Sequence, residues 1–211
     1  MTNDNGIIVA LLGPDGAGKT AIGDQLQLKL KTIFQEQTRF HLRPRFLWKS
    51  NGSEKNAVTN PHGKASRGVI LSFAKLIYFW LDYALGYLLY INPLKKKGHF
   101  VLFDRYYYDV LIDTKRYRYS GPVWIVRFVG WFIPEPDLYI ILDAPPEIIH
   151  ARKQEVPLEE TRKQRCAYLK FAEETPNTFV LNTEQTLEET VNEALTVIQK
   201  KLVNKSKVWE A

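Results

Sequence analysis

Gly13-Pro14-Asp15-Gly16-Ala17-Gly18-Lys19-Thr20 decides how the rest of the chain is read. It has the form G-x-x-x-x-G-K-T, the phosphate-binding Walker A loop. Before it, Gly6 to Leu12 is an apolar run of strand length. After it, Ile22, Leu26, Leu30 and Ile33 recur at helical spacing over 21–33. Strand, glycine-rich turn and helix together form the context in which this pattern works. The glycines let backbone N–H groups turn inward around an anion, with the positive end of the helix behind them. Gly13, Gly16, Ala17 and Gly18 supply the cradle. Lys19 is placed for the β- and γ-phosphates of a nucleotide, and Thr20 for Mg²⁺.

Length and composition describe the setting. A chain of 211 residues is expected to form one domain, with a core over about 6–203. Its 45% hydrophobic and 25% charged residues are ordinary for a globular protein. The single Cys166 excludes an intramolecular disulfide and a thiolate metal cluster. Met1 to Asn5 is polar and runs straight into the first strand, so no signal peptide is expected. Both features point to the cytoplasm. His41 and His62 stand alone, so no zinc site is expected. The net charge of +6 is uneven: seven Lys/Arg lie between Arg39 and Arg67, against Glu54 alone. Such a patch suits an anionic small molecule. No recognition helix, zinc finger or RNA-binding motif accompanies it, so nucleic acid is not expected.

Four more strands are expected, at about 38–43, 100–104, 138–143 and 178–182, with Pro44 ending the second. Residues 44–68 read as an acceptor-side loop, rich in polar and turn-forming residues. Val69 to Ile91 is long, aromatic and apolar enough to suggest a membrane span. Lys75 and Asp82 argue against one, since each costs about 2.5–3.5 kcal/mol near a bilayer centre. A helix pair that stops before Lys95-Lys96-Lys97 is expected instead. Aromatics beside that tri-lysine leave peripheral membrane contact open. Trp124 to Phe132 reads as an apolar helix. Pro145-Pro146 opens another, and 152–174 reads as a charged helical hairpin, with a lid over about 152–166. Leu187 to Leu202 is an amphipathic closing helix. Strands alternating with helices imply a three-layer α/β fold around a five-stranded parallel sheet. Asp104–Arg105 follows the third strand, at the strand end where ligands bind in such sheets.

The chain resembles the thymidylate kinase group of P-loop nucleoside-monophosphate kinases. Three pieces carry the resemblance: residues 13–20, Val101-Leu102-Phe103-Asp104-Arg105-Tyr106, and 136–146, which runs Pro-Asp-Leu-Tyr-Ile-Ile-Leu-Asp-Ala-Pro-Pro. They come in the family's order and spacing. The resemblance implies transfer of the γ-phosphoryl of ATP, with Mg²⁺, to an acceptor oxygen. It implies that Lys19 and the loop hold ATP, and that Asp104 binds the metal's water shell or orients the acceptor. Arg105 would hold the acceptor's anionic group, Asp15 a sugar hydroxyl, and Arg43 the acceptor phosphate, with Tyr106 beside them. Arg152, Arg162 and Arg165 would close as a lid. A homodimer is a further expectation.

The acceptor half departs from the family. Thymidylate kinases follow the second strand with Arg-Glu-Pro-Gly, where this chain has Arg43-Pro44-Arg45-Phe46. They follow Asp-Arg-Tyr with a Ser and an Ala-Tyr-Gln segment, where this chain runs Tyr107 to Tyr117. The first reading is a kinase of dTMP or another nucleoside monophosphate. The second keeps the chemistry but takes a sugar or glycan hydroxyl of bacterial surface-polysaccharide synthesis, with Asp109 or Asp113 binding hydroxyls and Arg116 a charged group. The third is a non-catalytic or switch NTPase. A GTPase would need an Asn-Lys-x-Asp motif, which Asn204-Lys205-Ser206-Lys207 does not supply.

Overall fold

The computed structural model describes residues 6–47 and 68–209, with side chains to 204. Most of the expected acceptor-side loop, 48–67, lies outside them, as do His62, Lys49, Lys55, Lys64 and Arg67.

Five strands form one parallel sheet in the order β2-β3-β1-β4-β5. They are β1 (Ile7–Leu12), β2 (Gln37–Phe40), β3 (Phe100–Phe103), β4 (Leu138–Asp143) and β5 (Thr178–Asn182). Side chains alternate between faces along a strand, and two cores follow from that. Ile7, Val9 and Leu11 pack with Ile22, Leu26 and Leu30 of α1 (Lys19–Leu30) and with Val191, Ala194 and Ile198 of α8 (Leu187–Trp209). Ile8, Ala10 and Leu12 pack on the other face with α2 (Val69–Gly86), α4 (Asp109–Ile112), α5 (Val123–Gly130) and α7 (Leu158–Glu174). The three-layer expectation is met, and the layers are built from these two alternating sets.

Three local readings are corrected. The second strand ends at Phe40, not at residue 43. Its partner β3 ends at Phe103, and the last bond of the ladder is donated by the Asp104 N–H to Phe40 O at 2.8 Å, so no backbone remains to pair with Arg43. The expected helix pair is one continuous helical run. α2 passes through a π-helical turn (Tyr87–Ile91) into α3 (Asn92–Lys96), with Pro93 in its first turn. Gly86 does not break the run. It admits the 44–46 loop, because a Cβ there would lie 2.6 Å from Pro44 Cβ. The run enters the lysine cluster, where Lys95 pairs with Asp137 at 2.8 Å. Finally, 152–174 is not a hairpin of two lid helices. α6 (Pro146–Arg152) ends at Arg152, a short connection follows, and α7 is a single helix.

The run Val69–Lys96 is long and apolar enough to cross a membrane by length and composition, and a third of its most apolar window is buried in the fold. Asp82 explains part of that burial. It is 0% exposed and accepts hydrogen bonds from Arg43 Nη1 (2.8 Å), Arg45 N (3.0 Å) and Leu47 N (2.9 Å). Tyr83 donates its hydroxyl to Leu42 O. Adjacent residues of α2 thus fasten the chain leaving β2.

Candidate active site

β1 and β3 are neighbours, so the loop after β1 and the Asp104–Arg105 pair after β3 meet at the carboxyl edge of the sheet. The strand order runs both ways from β1, which is where open α/β sheets form their binding crevice. Gly13, Gly16 and Gly18 have φ of 141°, 94° and 97°, a region in which side-chain-bearing residues are strained. At Gly16 there is also no room: a Cβ would sit 2.4 Å from Ile149 O of α6. The loop is shaped as the sequence predicts, with backbone bent around a concavity at the N-terminus of α1.

Lys19 is buried at the base of the loop. Its ammonium donates to Gly13 O (2.6 Å) and Pro14 O (2.8 Å) and lies 3.9 Å from Asp15. Burial, then the neighbouring Arg105 charge, hold its pKa well below the ordinary lysine value. An ammonium on the loop's own carbonyls is in place for an anion seated in the loop.

Asp15 faces Arg105 and Arg116, one guanidinium on each carboxylate oxygen. Arg105 also donates to Asp109 at 2.6 Å. Burial, the largest single influence, would lower the pKa of Arg105, but the Asp109 charge and hydrogen bond together with the neighbouring tyrosines outweigh it and the net shift is upward. Arg116 bonds Asp113 through its backbone N–H (3.0 Å) and its Nε (3.2 Å). Asp109 and Asp113 have second partners on α7, which were not anticipated: Tyr168 Oη at 2.9 Å and Gln164 Nε2 at 3.0 Å. Asp15, Arg105, Asp109, Asp113 and Arg116 were each singled out in the sequence, and the fold brings all five together.

Asp104 is not an open carboxylate. Arg39 grips it through Nε (3.0 and 3.1 Å) and Nη2 (2.8 Å). The same guanidinium donates to Thr20 O at 3.3 Å and reaches Asp24. Burial, the largest single influence, would lower the pKa of Arg39, but the hydrogen bonds and charges of Asp104 and Asp24 together raise it. Arg39 therefore ties together Thr20 and Asp104, the two residues expected near a metal. In the sequence it was only one of seven cations in a basic stretch.

Other expectations fall elsewhere. Tyr106 belongs to the core: it is 2% exposed, ringed by Tyr83, Phe103 and Tyr139, and gives its hydroxyl to Pro134 O. Three residues past the end of β3, it turns into the core layer beneath the sheet and does not border the crevice. Arg43 bonds Asp82 and the Tyr78 hydroxyl (2.9 Å) and stacks over the Tyr78 ring at 4.7 Å. Arg152 donates to Thr183 O at 2.8 Å. Arg162 bridges Glu147 and Glu159, and Arg165 forks onto Asp143 at 2.7 and 2.8 Å. The cation from this region that lies over the loop is Lys153. A Cβ on Gly16 would approach its Cβ to 3.2 Å. Lys153 also pairs with Glu155 at 2.7 Å, and Glu155 touches Arg116 at 3.4 Å. A lysine one residue from an expected arginine gives no sequence cue of its own.

The loop fits a polyphosphate, because its cradle needs glycine and its lysine sits at the base. Among the described residues no cluster of three or more His, Cys, Asp or Glu could hold a metal. Mg²⁺ at nucleotide phosphates takes most of its ligands from phosphate and water and needs few from protein.

A family model described as thymidylate kinase matches residues 12–194. The chain is 25% identical to a probable thymidylate kinase 1 of Saccharolobus solfataricus, over 92% of this chain and 98% of that one. It is 29% identical to a probable thymidylate kinase of Archaeoglobus fulgidus, over 92% and 95%. It is 26% identical to the thymidylate kinase of Oenococcus oeni, over 93% and 97%. The fold is similar to the crystal structure of thymidylate kinase from Ehrlichia chaffeensis, with a TM-score of 0.60 at 15% identity over 92% of this chain and 99% of that one. With a phosphate loop, an adjoining Asp-Arg pair and these matches along most of its length, the chain belongs to the thymidylate kinase family.

Proposed function

We propose that this kinase moves the γ-phosphoryl of ATP to a nucleoside monophosphate such as dTMP. The observation that carries this reading is the convergence of Arg105 and Arg116 on the two oxygens of Asp15, next to Lys19. Two guanidiniums on a pair of oxygens form a ready seat for an acceptor phosphate, since Arg forks match that geometry.

Bound ATP·Mg²⁺ supplies the phosphoryl group and neutralises much of its charge. Lys19 and the amides of residues 13–19 hold the donor's phosphates. Thr20 and Asp104 are the side chains that would hold the metal, Asp104 through water, since Arg39 already occupies its oxygens. Arg105 and Arg116 hold the acceptor's anionic group, and Asp15 is released toward an acceptor hydroxyl. Arg43, bound to Asp82, supports the acceptor wall. The 152–166 segment acts as the lid. Lys153 covers the loop, while Arg152 anchors the lid to Thr183, just after β5, and Arg165 anchors it to β4. Excluding water in this way favours transfer over hydrolysis. Asp109 and Asp113 accept bonds from protein donors on both sides, which favours a phosphate-bearing acceptor over sugar hydroxyls held by those acids.

Purified protein with ATP, Mg²⁺ and dTMP, dUMP, AMP, CMP or acidic sugars, followed by ADP release, tests the reading. Turnover is expected with dTMP or another nucleoside monophosphate, and it should be lost in Lys19→Ala and Asp104→Ala. ADP formed only with a sugar, or at one slow rate whatever the acceptor, would replace it with a glycan kinase or a switch NTPase. For a macromolecular partner we propose a second copy on the exposed stripe of Ile70, Ile77 and Leu88, which are 83%, 55% and 61% exposed. Light scattering should find a dimer. A monomer that floats with anionic vesicles would assign the stripe to a membrane instead.

A further inference from the structure

Four polar side chains lie buried behind the two guanidiniums. Tyr168, Gln164, Asp109 and Asp113 are 2%, 4%, 0% and 5% exposed. Gln164 and Tyr168 are four residues apart on α7, so they share a face; Asp109 and Asp113 have the same separation along α4 and its C-terminal cap. Two parallel chains of contacts result. Tyr168 Oη donates to Asp109 Oδ1 (2.9 Å), Asp109 Oδ2 accepts from Arg105 Nη1 (2.6 Å), and Arg105 Nη2 meets Asp15. Gln164 Nε2 donates to Asp113 Oδ2 (3.0 Å), the same oxygen accepts from Arg116 Nε (3.2 Å), and Arg116 Nη2 meets the other oxygen of Asp15.

Buried polar groups are costly compared with apolar packing, so this layer contributes orientation more than stability. Among the described residues Arg105 Nε is buried with no hydrogen-bond partner, so one donor of that guanidinium is left for an incoming acceptor atom. We propose that Tyr168 and Gln164 are positioning residues: from α7 they aim Arg105 and Arg116 at one anionic seat, which the carboxylate of Asp15 holds until the acceptor's anionic group replaces it. The inference rests on the reading that this group binds between the two arginines. It adds that the lid-side helix sets the clamp. Burial, and then the Asp109 charge, raise the pKa of the Tyr168 hydroxyl well above its ordinary value, which keeps it a donor.

Tyr168→Phe and Gln164→Leu test the proposal by steady-state kinetics with dTMP and ATP varied in turn. A lost hydrogen bond to a charged group corresponds to about a tenfold effect. The KM for dTMP should therefore rise about tenfold, with kcat and the KM for ATP each within about twofold. Arg105→Lys with Tyr168→Phe should be no worse than Arg105→Lys alone, because the tyrosine acts through the arginine. Equal rises in both KM values, a fall in kcat alone, or additive losses would overturn the proposal. If Gln164→Leu does not fold, Tyr168→Phe, which removes one oxygen, carries the test. If the wild type turns over no nucleoside monophosphate, the acceptor reading fails separately. The clamp is then probed by calorimetry with inorganic phosphate. Weaker binding by Tyr168→Phe sustains the positioning role, and unchanged binding ends it.

Discussion

Replacing Asp82 with Ala removes a carboxylate that the fold has buried completely. Three donors lose their acceptor: Arg43 Nη1 at 2.8 Å, Arg45 N at 3.0 Å and Leu47 N at 2.9 Å. Breaking a buried ion pair costs about 3–5 kcal/mol. The Arg43 side chain is 19% exposed and keeps its stacking on Tyr78, so it can turn toward water and the low end applies. Leu47 is exposed as well, so its amide finds water at little cost. Arg45 holds φ at 53°, a conformation that costs roughly 1–2 kcal/mol for a residue with a side chain. Release of the loop recovers some of that strain. The net expectation is about 3 kcal/mol, or a melting midpoint lower by roughly 6–12 °C for a chain of this size. Calorimetry or circular dichroism measures it, with Glu159→Ala as the control, since that acid is 71% exposed and its pairing is worth little. Because the loop borders the proposed acceptor side, the KM for dTMP should rise more than the KM for ATP. A midpoint no lower than the control's would refute the view that α2 uses this acid as an anchor.

Gly16→Ala forces a Cβ to within 2.4 Å of Ile149 O at a φ of 94°, so calorimetry with a non-hydrolysable ATP analogue should show affinity falling at least about tenfold. Arg39→Ala unties Asp104 from Thr20, and kcat should fall by about tenfold or more; Arg39→Lys should recover little, because one ammonium cannot replace the fork. Lys19 yields a pH prediction. Its pKa in the fold is below the unfolded value of 10.5, so between the two the unfolded chain binds more protons and the Lys19 contribution to stability rises with pH. A polyphosphate reverses this preference, so ATP binding at alkaline pH should take up protons. Calorimetry in buffers of different ionisation enthalpy detects the uptake, and its absence would show that Lys19 is charged before ATP arrives.

Local chemistry made some features legible from sequence. The loop at 13–20 needs glycine at left-handed backbone and a lysine just inside a helix, and both requirements are written in consecutive residues. The strands other than β2 (Gln-Thr-Arg-Phe) were legible as apolar runs of strand length between turn signals. Strand order was not, but once β1 and β3 are neighbours, Asp104–Arg105 must face the loop. Asp82 was legible only as a charge that argues against a membrane span; its three partners come from a loop about forty residues earlier.

Sequence by itself determined the phosphate loop, because a phosphate cradle is a short-range device whose parts are contiguous. Only the tertiary structure decided the partners of the arginines on the proposed acceptor side. Which arginine is an anchor and which a clamp depends on the carboxylate that lies opposite, and that partner is chosen by packing across the sheet. Arg43 and Arg105 look alike in the sequence. The first is held by a helix acid at 2.8 Å, while the second converges with Arg116 on Asp15.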